Sequence, residues 1–277
     1  MTRDGWRPRL LALDIDGTLL EPGGQIDRAT VAAVQGARSA GAHIVLVTGR
    51  ATFELAPVVR ALALHEGYAI CSNGAVSSEL ATSRILSSHT FEAKAGVEAI
   101  LREVPHALVA VEENGVGYAV TRPFPPGELI GRQRTESLAT MLAAPVTRAI
   151  VRDPGGSVHD FVRLLPSLAL PGITCTVGYK AWFDLGPSGV TKGSSLAELA
   201  GILEVAAGDV LAIGDGRNDL EMLQWAGRGV AMGQAPPEVR LAADHVTGDV
   251  AELGAAQEIL RWFPAEHDRV RQTATPH

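Results

Sequence analysis

Four short apolar runs in this chain each break off into small polar residues: "LLALDIDGT" from Leu10, "HIVLVTGR" from His43, "YAICSNGA" from Tyr68 and "DVLAIGDGRND" from Asp209. Apolar runs this short, without alternation, suit strands buried on both faces, as in the middle of a parallel sheet. Helical stretches separate the first three. "DRATVAAVQGARSAG" follows the first run, with Asp27 placed to cap a helix and Gly41 to close it, and "ATFELAPVVRALAL" follows the second as a further helix. Strand, helix, strand, helix, strand with short links points to parallel pairing, because a parallel neighbour is reached through a crossover of about a dozen residues.

The rhythm returns near the C-terminus. A helix is predicted at "TKGSSLAELAGIL", a strand at "DVLAIGD", a helix at "NDLEMLQWA", then short strands at "GVAM" and "DHVT" with "PPEVRLAA" between them. The middle, from about Ser78 to Gly186, is different: alternating strands such as "ALVAVEE" and "GYAV" mix with a helix at "AKAGVEAILREV", punctuated by "RPFPPGE" and "RDPGGS". A length of 277 residues allows one large domain or two smaller ones. The change of pattern selects an α/β fold: a doubly wound, mostly parallel-sheet (Rossmann-like) core built from residues 1–80 and 187–270, with an α+β module of residues 81–186 inserted between its two halves. The polar tail after Phe263 is expected to fray.

Composition excludes several partners. Hydrophobic residues make up 46% and charged residues 20%, enough apolar material for a sizeable core. The formal net charge is −7 and no basic run occurs, so an extended polyanion such as nucleic acid has nothing to bind, although a small anion can still be captured locally. Lysine is scarce, limited to Lys94, Lys180 and Lys192, which draws attention to any lysine beside a motif. Cys71 and Cys175 lie in apolar segments without metal or redox spacing, as expected in a reducing compartment. No stretch approaches the ~20 apolar residues of a membrane span, and none near the start resembles a signal sequence. A soluble, cytoplasmic protein with no membrane partner is expected.

In an open parallel sheet, ligands sit beyond the carboxyl ends of the strands, so the four polar turns are expected on one rim. There Asp14 and Asp16 would lie roughly 6.6 Å apart on the same side of an extended strand. Asp215 and Asp219 bring the number of carboxylates to four, and two unit charges at ~6 Å repel by roughly 3 kcal/mol at an effective dielectric near 20. A hard divalent cation relieves that repulsion, and an oxygen-only site beside a phosphate suits Mg²⁺. Rival motifs fail on spacing. Gly17 falls too early for a calcium loop starting at Asp14, "GVTKGSS" lacks the first glycine of a phosphate loop, "GDGRND" has too few glycines for a dinucleotide fingerprint, and no Gly-x-Ser-x-Gly elbow exists. Singly, each signal has an ordinary explanation: "DIDG" as a turn, Thr48 as a strand end, Lys192 as a solvated helix start. Together, in this order and each at a strand end or helix start, they point to one site.

As a set, "LDIDGTLL", "VTGR", "GVTKGSSL" and "IGDGRNDLEML", followed by "GVAMGQAPPEV", resembles the haloacid dehalogenase superfamily. Within it the chain is similar to the Cof-like sugar-phosphate phosphatases, which carry a large α/β cap between the second and third motifs. The resemblance covers nearly the whole chain; it weakens in the cap and after "DHVT", where "GDVAELGAA" departs from the Asn-rich, Gly-Val loop usual there. It implies a Mg²⁺-dependent phosphomonoester hydrolase acting on a small phosphorylated metabolite, a sugar phosphate or phosphoglycerate-type ester, through an aspartyl-phosphate intermediate. Asp14 would be the nucleophile and Asp16 the general acid and then base. Thr48, Gly49, Arg50, Lys192 and Asn218 would bind the phosphoryl group, with Asn73 on the substrate side. Mg²⁺ would be held by Asp14, the backbone carbonyl of Asp16 and Asp215, with Asp219 as an auxiliary ligand. The resemblance leaves open a phosphoryl transferase or mutase of the phosphomannomutase type, in which a sugar hydroxyl replaces water. A non-enzymatic metabolite-binding protein would have no need of Asp14, Asp16 and Lys192 together. Substrate choice is expected in the cap, where Arg122, Arg152, Lys180 and Asp184 are candidates that would serve equally as structural ion pairs.

Overall fold

The computed structural model describes residues 6–264 apart from Pro22 and Tyr179, so the tail from residue 265 onward lies outside the described residues. The chain opens with β1 (Leu10–Leu13), α1 (Arg28–Ser39), β2 (His43–Val47), α2 (Ala56–Ala61), β3 (Tyr68–Cys71), β4 (Val76–Glu79) and β5 (Ile85–Ser88). A second group follows: α3 (Lys94–Glu103), β6 (Leu108–Glu113), β7 (Gly117–Val120), β8 (Arg132–Thr135), α4 (Leu138–Met141), β9 (Ala149–Arg152), α5 (Val158–Leu164), β10 (Ile173–Val177) and β11 (Trp182–Pro187). The chain then returns with α6 (Lys192–Ile202), β12 (Val210–Gly214), α7 (Leu220–Trp225), β13 (Arg228–Ala231), α8 (Pro237–Ala242), β14 (His245–Val246) and α9 (Gly254–Trp262).

The first and third groups share one eight-stranded sheet in the order β14-β13-β12-β1-β2-β3-β4-β5, parallel from β14 to β3 and antiparallel beyond. Its centre is β1, whose Leu10–Leu13 pair in step with Val210–Ile213 on one side and His43–Leu46 on the other. Strand geometry sends alternate side chains to opposite faces. Leu11 and Leu13 pack with Val34, Ala37 and Ile259, while Leu10 and Ala12 pack with Leu196, Leu199 and Met222. Helices therefore cover both faces, and that is why this strand is apolar at every position. Truncating one of these leucines to alanine would cost about 2–5 kcal/mol.

Local signals account for the helix ends. Asp27 accepts the N–H of Ala29 at 2.7 Å, and Gly41 turns the chain after α1 at φ +91°. The single helix predicted at "ATFELAPVVRALAL" is instead a 3₁₀ turn, Thr52–Glu54, followed by the six residues of α2. Pro57 is the cause: it lacks an N–H and fits only the first turn of a helix, so it sets where α2 begins.

The inserted residues build a second, six-stranded sheet, β10-β11-β9-β6-β7-β8, antiparallel except between β7 and β8. One face is covered by helices through Val97, Ile100, Met141 and Phe161. The other carries Leu108, Ala110, Tyr118, Val120 and Ile150 and meets Phe53 of the core, whose ring stands edge-on to Tyr118 at 5.3 Å. The open face of the cap sheet thus lies over the core. One strand falls elsewhere than its position in residues 81–186 suggests: β5 pairs with β4 at the edge of the core sheet. Only β5 is an edge strand, exposed or half-buried along "ILSS", while "VSSE" is paired on both sides yet carries serines where the central strands carry valine and leucine, so no apolar pattern announces either. Among the described residues, no helix is long and apolar enough to cross a membrane.

Candidate active site

The carboxyl ends of β1, β2, β3 and β12 meet on one rim, joined through their backbones. Asp14 N donates to Ile213 O at 3.0 Å, Ser72 N to Arg50 O at 2.9 Å and Asn73 N to Thr48 O at 3.2 Å. After β1 the chain curls tightly, and the N–H groups of Thr18, Leu19 and Leu20 all converge on Ile15 O. Gly17 takes φ +84° in this curl, and a Cβ there would run into the Asp215 carboxylate. Glycine supplies both the left-handed backbone and the room for Asp215. Ser72 and Asn73 are also left-handed, at φ 51° and 56°. The kink points the Ser72 hydroxyl up to Glu112 in the cap, at 2.6 Å, while Asn73 Oδ1 accepts from Asn218 Nδ2 at 2.9 Å.

At the centre stands Lys192, the first residue of α6. Thr191 caps that helix by accepting the Ser194 N–H at 3.1 Å, and the side-chain-free Gly193 lets α6 lie directly on α7 beside Glu221. Lys192 Nζ donates to Asp14 Oδ1 at 2.7 Å and to Asp219 Oδ1 at 2.6 Å. Asp219 Oδ2 is occupied as well, accepting the N–H groups of Asp215 at 3.0 Å and Gly216 at 2.8 Å. Asp14 Oδ2 accepts only the Thr18 hydroxyl, at 3.1 Å. All three charged groups are buried, with Asp14 4%, Lys192 2% and Asp219 0% exposed.

Burial raises the pKa of Asp14 above the usual carboxylate range; Lys192 pulls the other way and Asp219 adds to the rise. Burial acting alone would lower the pKa of Lys192, but attraction to Asp14 and Asp219 reverses this and holds the ammonium charged. Asp215 is raised too, by burial first and by Asp219 second. Asp14, Asp215 and Asp219 each offer a carboxylate oxygen, and these oxygens lie within 4.8 Å of one another. One ammonium therefore faces three carboxylates, an arrangement able to hold a metal ion.

The donor set fits a hard cation, since every ligand atom on offer is oxygen. It also ranks the acids. Both oxygens of Asp219 are committed to Lys192 and to backbone N–H groups, whereas Asp215 Oδ2 receives only a 3.3 Å contact from Gln234 Nε2. Asp14 and Asp215 are the acids with coordination to spare, and Asp219 holds the lysine and the Asp215 loop in place.

The remaining residues singled out in the sequence surround this centre. Asp16 is exposed and turned to Arg50, which grips it with both arms: Nε to Oδ2 at 2.8 Å and Nη2 to Oδ1 at 2.5 Å. Arg50, expected at the phosphate, is thus engaged with an acid. Thr48 is buried, its Oγ1 accepting the Arg50 N–H at 3.1 Å, and Gly49 packs closely against the Asn73 amide. Gln234 was not singled out, yet its Nε2 donates to Gly17 O at 2.5 Å and its Oε1 accepts the Val250 N–H at 3.1 Å, bracing the curl after β1. The only sign of it was its place in "GVAMGQAPPEV". In the cap, Arg122 bonds to His106 O, and Arg152 and Lys180 both pair with Glu128. Of the four cap candidates, Asp184 is the one lining the cleft above the rim, joined there by Arg148, which sequence reading missed.

The sequence profile of haloacid dehalogenase-like hydrolases matches residues 11–123 and 128–259. The chain is 31% identical over 273 residues to the stress response protein YhaX of Bacillus subtilis, covering 92% of this chain and 93% of that one. It is 29% identical over 267 residues to the pyridoxal phosphate phosphatase YbhA of Escherichia coli, covering 91% and 97%. Among solved structures, a haloacid dehalogenase-like hydrolase from Bacteroides thetaiotaomicron superposes with a TM-score of 0.80 at 25% identity, over 93% of this chain and all of that one. The chain belongs to the haloacid dehalogenase-like hydrolases.

Proposed function

We propose that this haloacid dehalogenase-like phosphatase hydrolyses the monoester of a small phosphorylated metabolite through an aspartyl-phosphate on Asp14, with Mg²⁺ as cofactor. The observation that carries the reading is the buried Asp14–Lys192–Asp219 group beside Asp215, where a nucleophilic carboxylate, a fixed ammonium and a cation site share one rim. Mg²⁺, when bound, adds the positive charge that three acids beside one lysine lack and draws negative charge from the transferring phosphoryl oxygens. Asp14 and Asp215 would hold it together with the backbone carbonyl of Asp16, with Asp219 auxiliary.

Lys192 keeps the Asp14 carboxylate in one orientation and turns its own charge toward the site. Asp14 attacks phosphorus; the bond to the alcohol oxygen breaks as Asp16 passes that oxygen a proton. Asp16 then takes a proton from an incoming water, which attacks the phosphorus of the aspartyl-phosphate, releases inorganic phosphate and restores Asp14. Both Asp16 oxygens accept from Arg50 in this structure, so Asp16 leaves that grip to carry the proton, and Thr48, Gly49 and Asn218 line the phosphoryl pocket. Residues 81–186, less β5, act as the cap that closes over the rim and excludes water, on a core of residues 1–80 and 187–270. A sugar phosphate or a phosphoglycerate-type ester is the substrate class, and similarity to an enzyme named for pyridoxal phosphate supports a small monoester.

The test is hydrolysis of p-nitrophenyl phosphate with Mg²⁺, alongside an Asp14→Asn variant and a chelated control. Turnover that needs both Asp14 and the metal supports the reading; turnover indifferent to Asp14→Asn removes it. Release of free phosphate from phosphosugars, rather than an isomeric phosphosugar, separates a hydrolase from a mutase.

A further inference from the structure

One amide ties two loops of the cation site to a third loop that supplies no ligand. Gln234 follows β13, and its Nε2 donates to Gly17 O at 2.5 Å and approaches Asp215 Oδ2 at 3.3 Å, while its Oε1 accepts the Val250 N–H at 3.1 Å. The residue is exposed, so its direction rests on these contacts and not on burial. The contact with Val250 decides that direction. A backbone N–H can only donate, so Oε1 must face it, and the two hydrogens of Nε2 are then turned to the two acceptors, Gly17 O and Asp215 Oδ2. A flipped amide would set oxygen against both acceptors and leave the Val250 N–H facing hydrogens.

The anchor is built from several loop contacts. Gly233 N donates to Gly248 O at 3.1 Å, and a Cβ on Gly233 would strike Asp249, so the loop after β14 lies against the residue preceding Gln234. Thr247 Oγ1 closes that loop on Gly254 O at 2.8 Å, Gly254 N closes it on Asp249 O at 3.0 Å, and Val250 is the first residue of a 3₁₀ turn, Val250–Glu252. Val250 belongs to "GDVAELGAA", the segment where the chain departs from the resemblance, so the anchor is particular to this sequence.

At the other end of the amide, Gly17 O is the carbonyl one residue on from that of Asp16. Mg²⁺ tolerates little departure from octahedral geometry, so the direction of each ligand oxygen counts. Resting on the magnesium reading above, we propose that Gln234 is a positioning residue for the cation: anchored by Val250, it holds the Asp215 carboxylate toward Asp14 and fixes the backbone that follows Asp16 before the ion arrives.

Two substitutions test this. Gln234→Met keeps the length of the side chain and removes all its polar contacts. Val250→Pro leaves Gln234, Asp215 and Gly17 untouched and deletes only the anchoring N–H; proline suits the first position of a helical turn, and Asp249 before it is extended, at φ −67° and ψ 164°, as a residue preceding proline prefers. Mg²⁺ alone is titrated into the full chain, and its dissociation constant is read by calorimetry and from the rise of Tm with Mg²⁺ concentration. Binding should weaken by about tenfold in Gln234→Met and by about threefold in Val250→Pro. The Mg²⁺ concentration for half-maximal hydrolysis of p-nitrophenyl phosphate should rise by similar factors, with excess Mg²⁺ recovering most of the lost turnover. A purely structural role would lower Tm without Mg²⁺ and leave the dissociation constant of the folded protein unchanged. An affinity within about twofold of native in either variant therefore overturns the inference, while Mg²⁺ binding by the native protein leaves the magnesium reading standing. A native protein that binds no Mg²⁺ removes that reading, and this inference with it.

Discussion

Replacing Lys192 with methionine keeps a long buried stem and deletes only the charge. In the native site that charge lies 2.7 Å from Asp14 Oδ1 and 2.6 Å from Asp219 Oδ1. At an effective dielectric near 20 each attraction is about 6 kcal/mol, set against a desolvation cost of several kcal/mol for each buried ion. The variant leaves two carboxylates at 4% and 0% exposure without a counter-charge. Breaking a buried pair in this way costs about 3–5 kcal/mol, and the bonds that Asp14 keeps with Thr18 and Asp219 keeps with backbone N–H groups favour the lower end. Urea unfolding at pH 7.5 without added metal should therefore show a loss of about 3 kcal/mol, and p-nitrophenyl phosphate turnover should fall by about 10²-fold or more. The pH dependence has a definite sign. Without the ammonium, which opposes the rise that burial causes, the folded state of the variant holds on Asp14 a proton that the unfolded chain releases, so its stability falls as pH rises and recovers on acidification. The deficit relative to the native protein should narrow from pH 7.5 toward pH 5, and Mg²⁺ should restore part of it at pH 7.5. A variant within about 1 kcal/mol of the native protein at pH 7.5, with no narrowing on acidification, would refute the view that this lysine compensates two buried acids.

Three further outcomes are expected. Asp215→Asn removes the acid with the most coordination to spare, so it should raise the Mg²⁺ concentration for half-maximal turnover by about tenfold or more while unfolding near the native midpoint; a metal titration checks this. Gly17→Ala forces a side chain into left-handed backbone against Asp215, and should cost about 1–3 kcal/mol in thermal or urea unfolding together with a weaker response to Mg²⁺. Glu112→Gln should stabilise the protein at neutral pH. Burial raises the pKa of Glu112, with Arg148 and Ser72 opposing, so from about 4.5 upward the unfolded chain releases a proton that the folded state retains, and native stability declines with pH. Glutamine has no such dependence, so unfolding midpoints should converge below pH 4.5 and separate above it.

Legibility followed the number of constraints acting on each residue. The strand Leu10–Leu13 is buried on both faces, so every position must be apolar, and the run announces itself. The hairpin of β4 and β5 lies at the edge of the sheet, where serine is tolerated, and its sequence looks like a loop. Residues 51–64 read as a helix because periodicity takes no account of Pro57. The site divides in the same way. Asp14, Lys192, Asp215 and Asp219 stand at strand ends or at a helix start, where the order of elements alone brings them together. Arg50 does too, but its engagement with Asp16 depends on side-chain direction, which the order of elements does not determine. Arg148 and Asp184 are 36 residues apart and meet only through pairing of β9 with β11, so neither carries a local sign of the other. Glu112 left no such sign: "LVAVEE" is buried on both faces and ends in two acids, and nothing local separates the buried Glu112 from Glu113 beside it.

The charges of the two layers are balanced in different ways. On the rim, three carboxylates beside one ammonium leave two net negative charges, which a single divalent cation would cancel. Above the rim, Arg148 is already neutralised by Asp184 and Arg50 by Asp16, and the acids left over, Glu54 and Glu112, have burial raising their pKa. The rim is therefore short of positive charge until a cation binds, whereas the cleft above it holds Arg148 already paired with an acid.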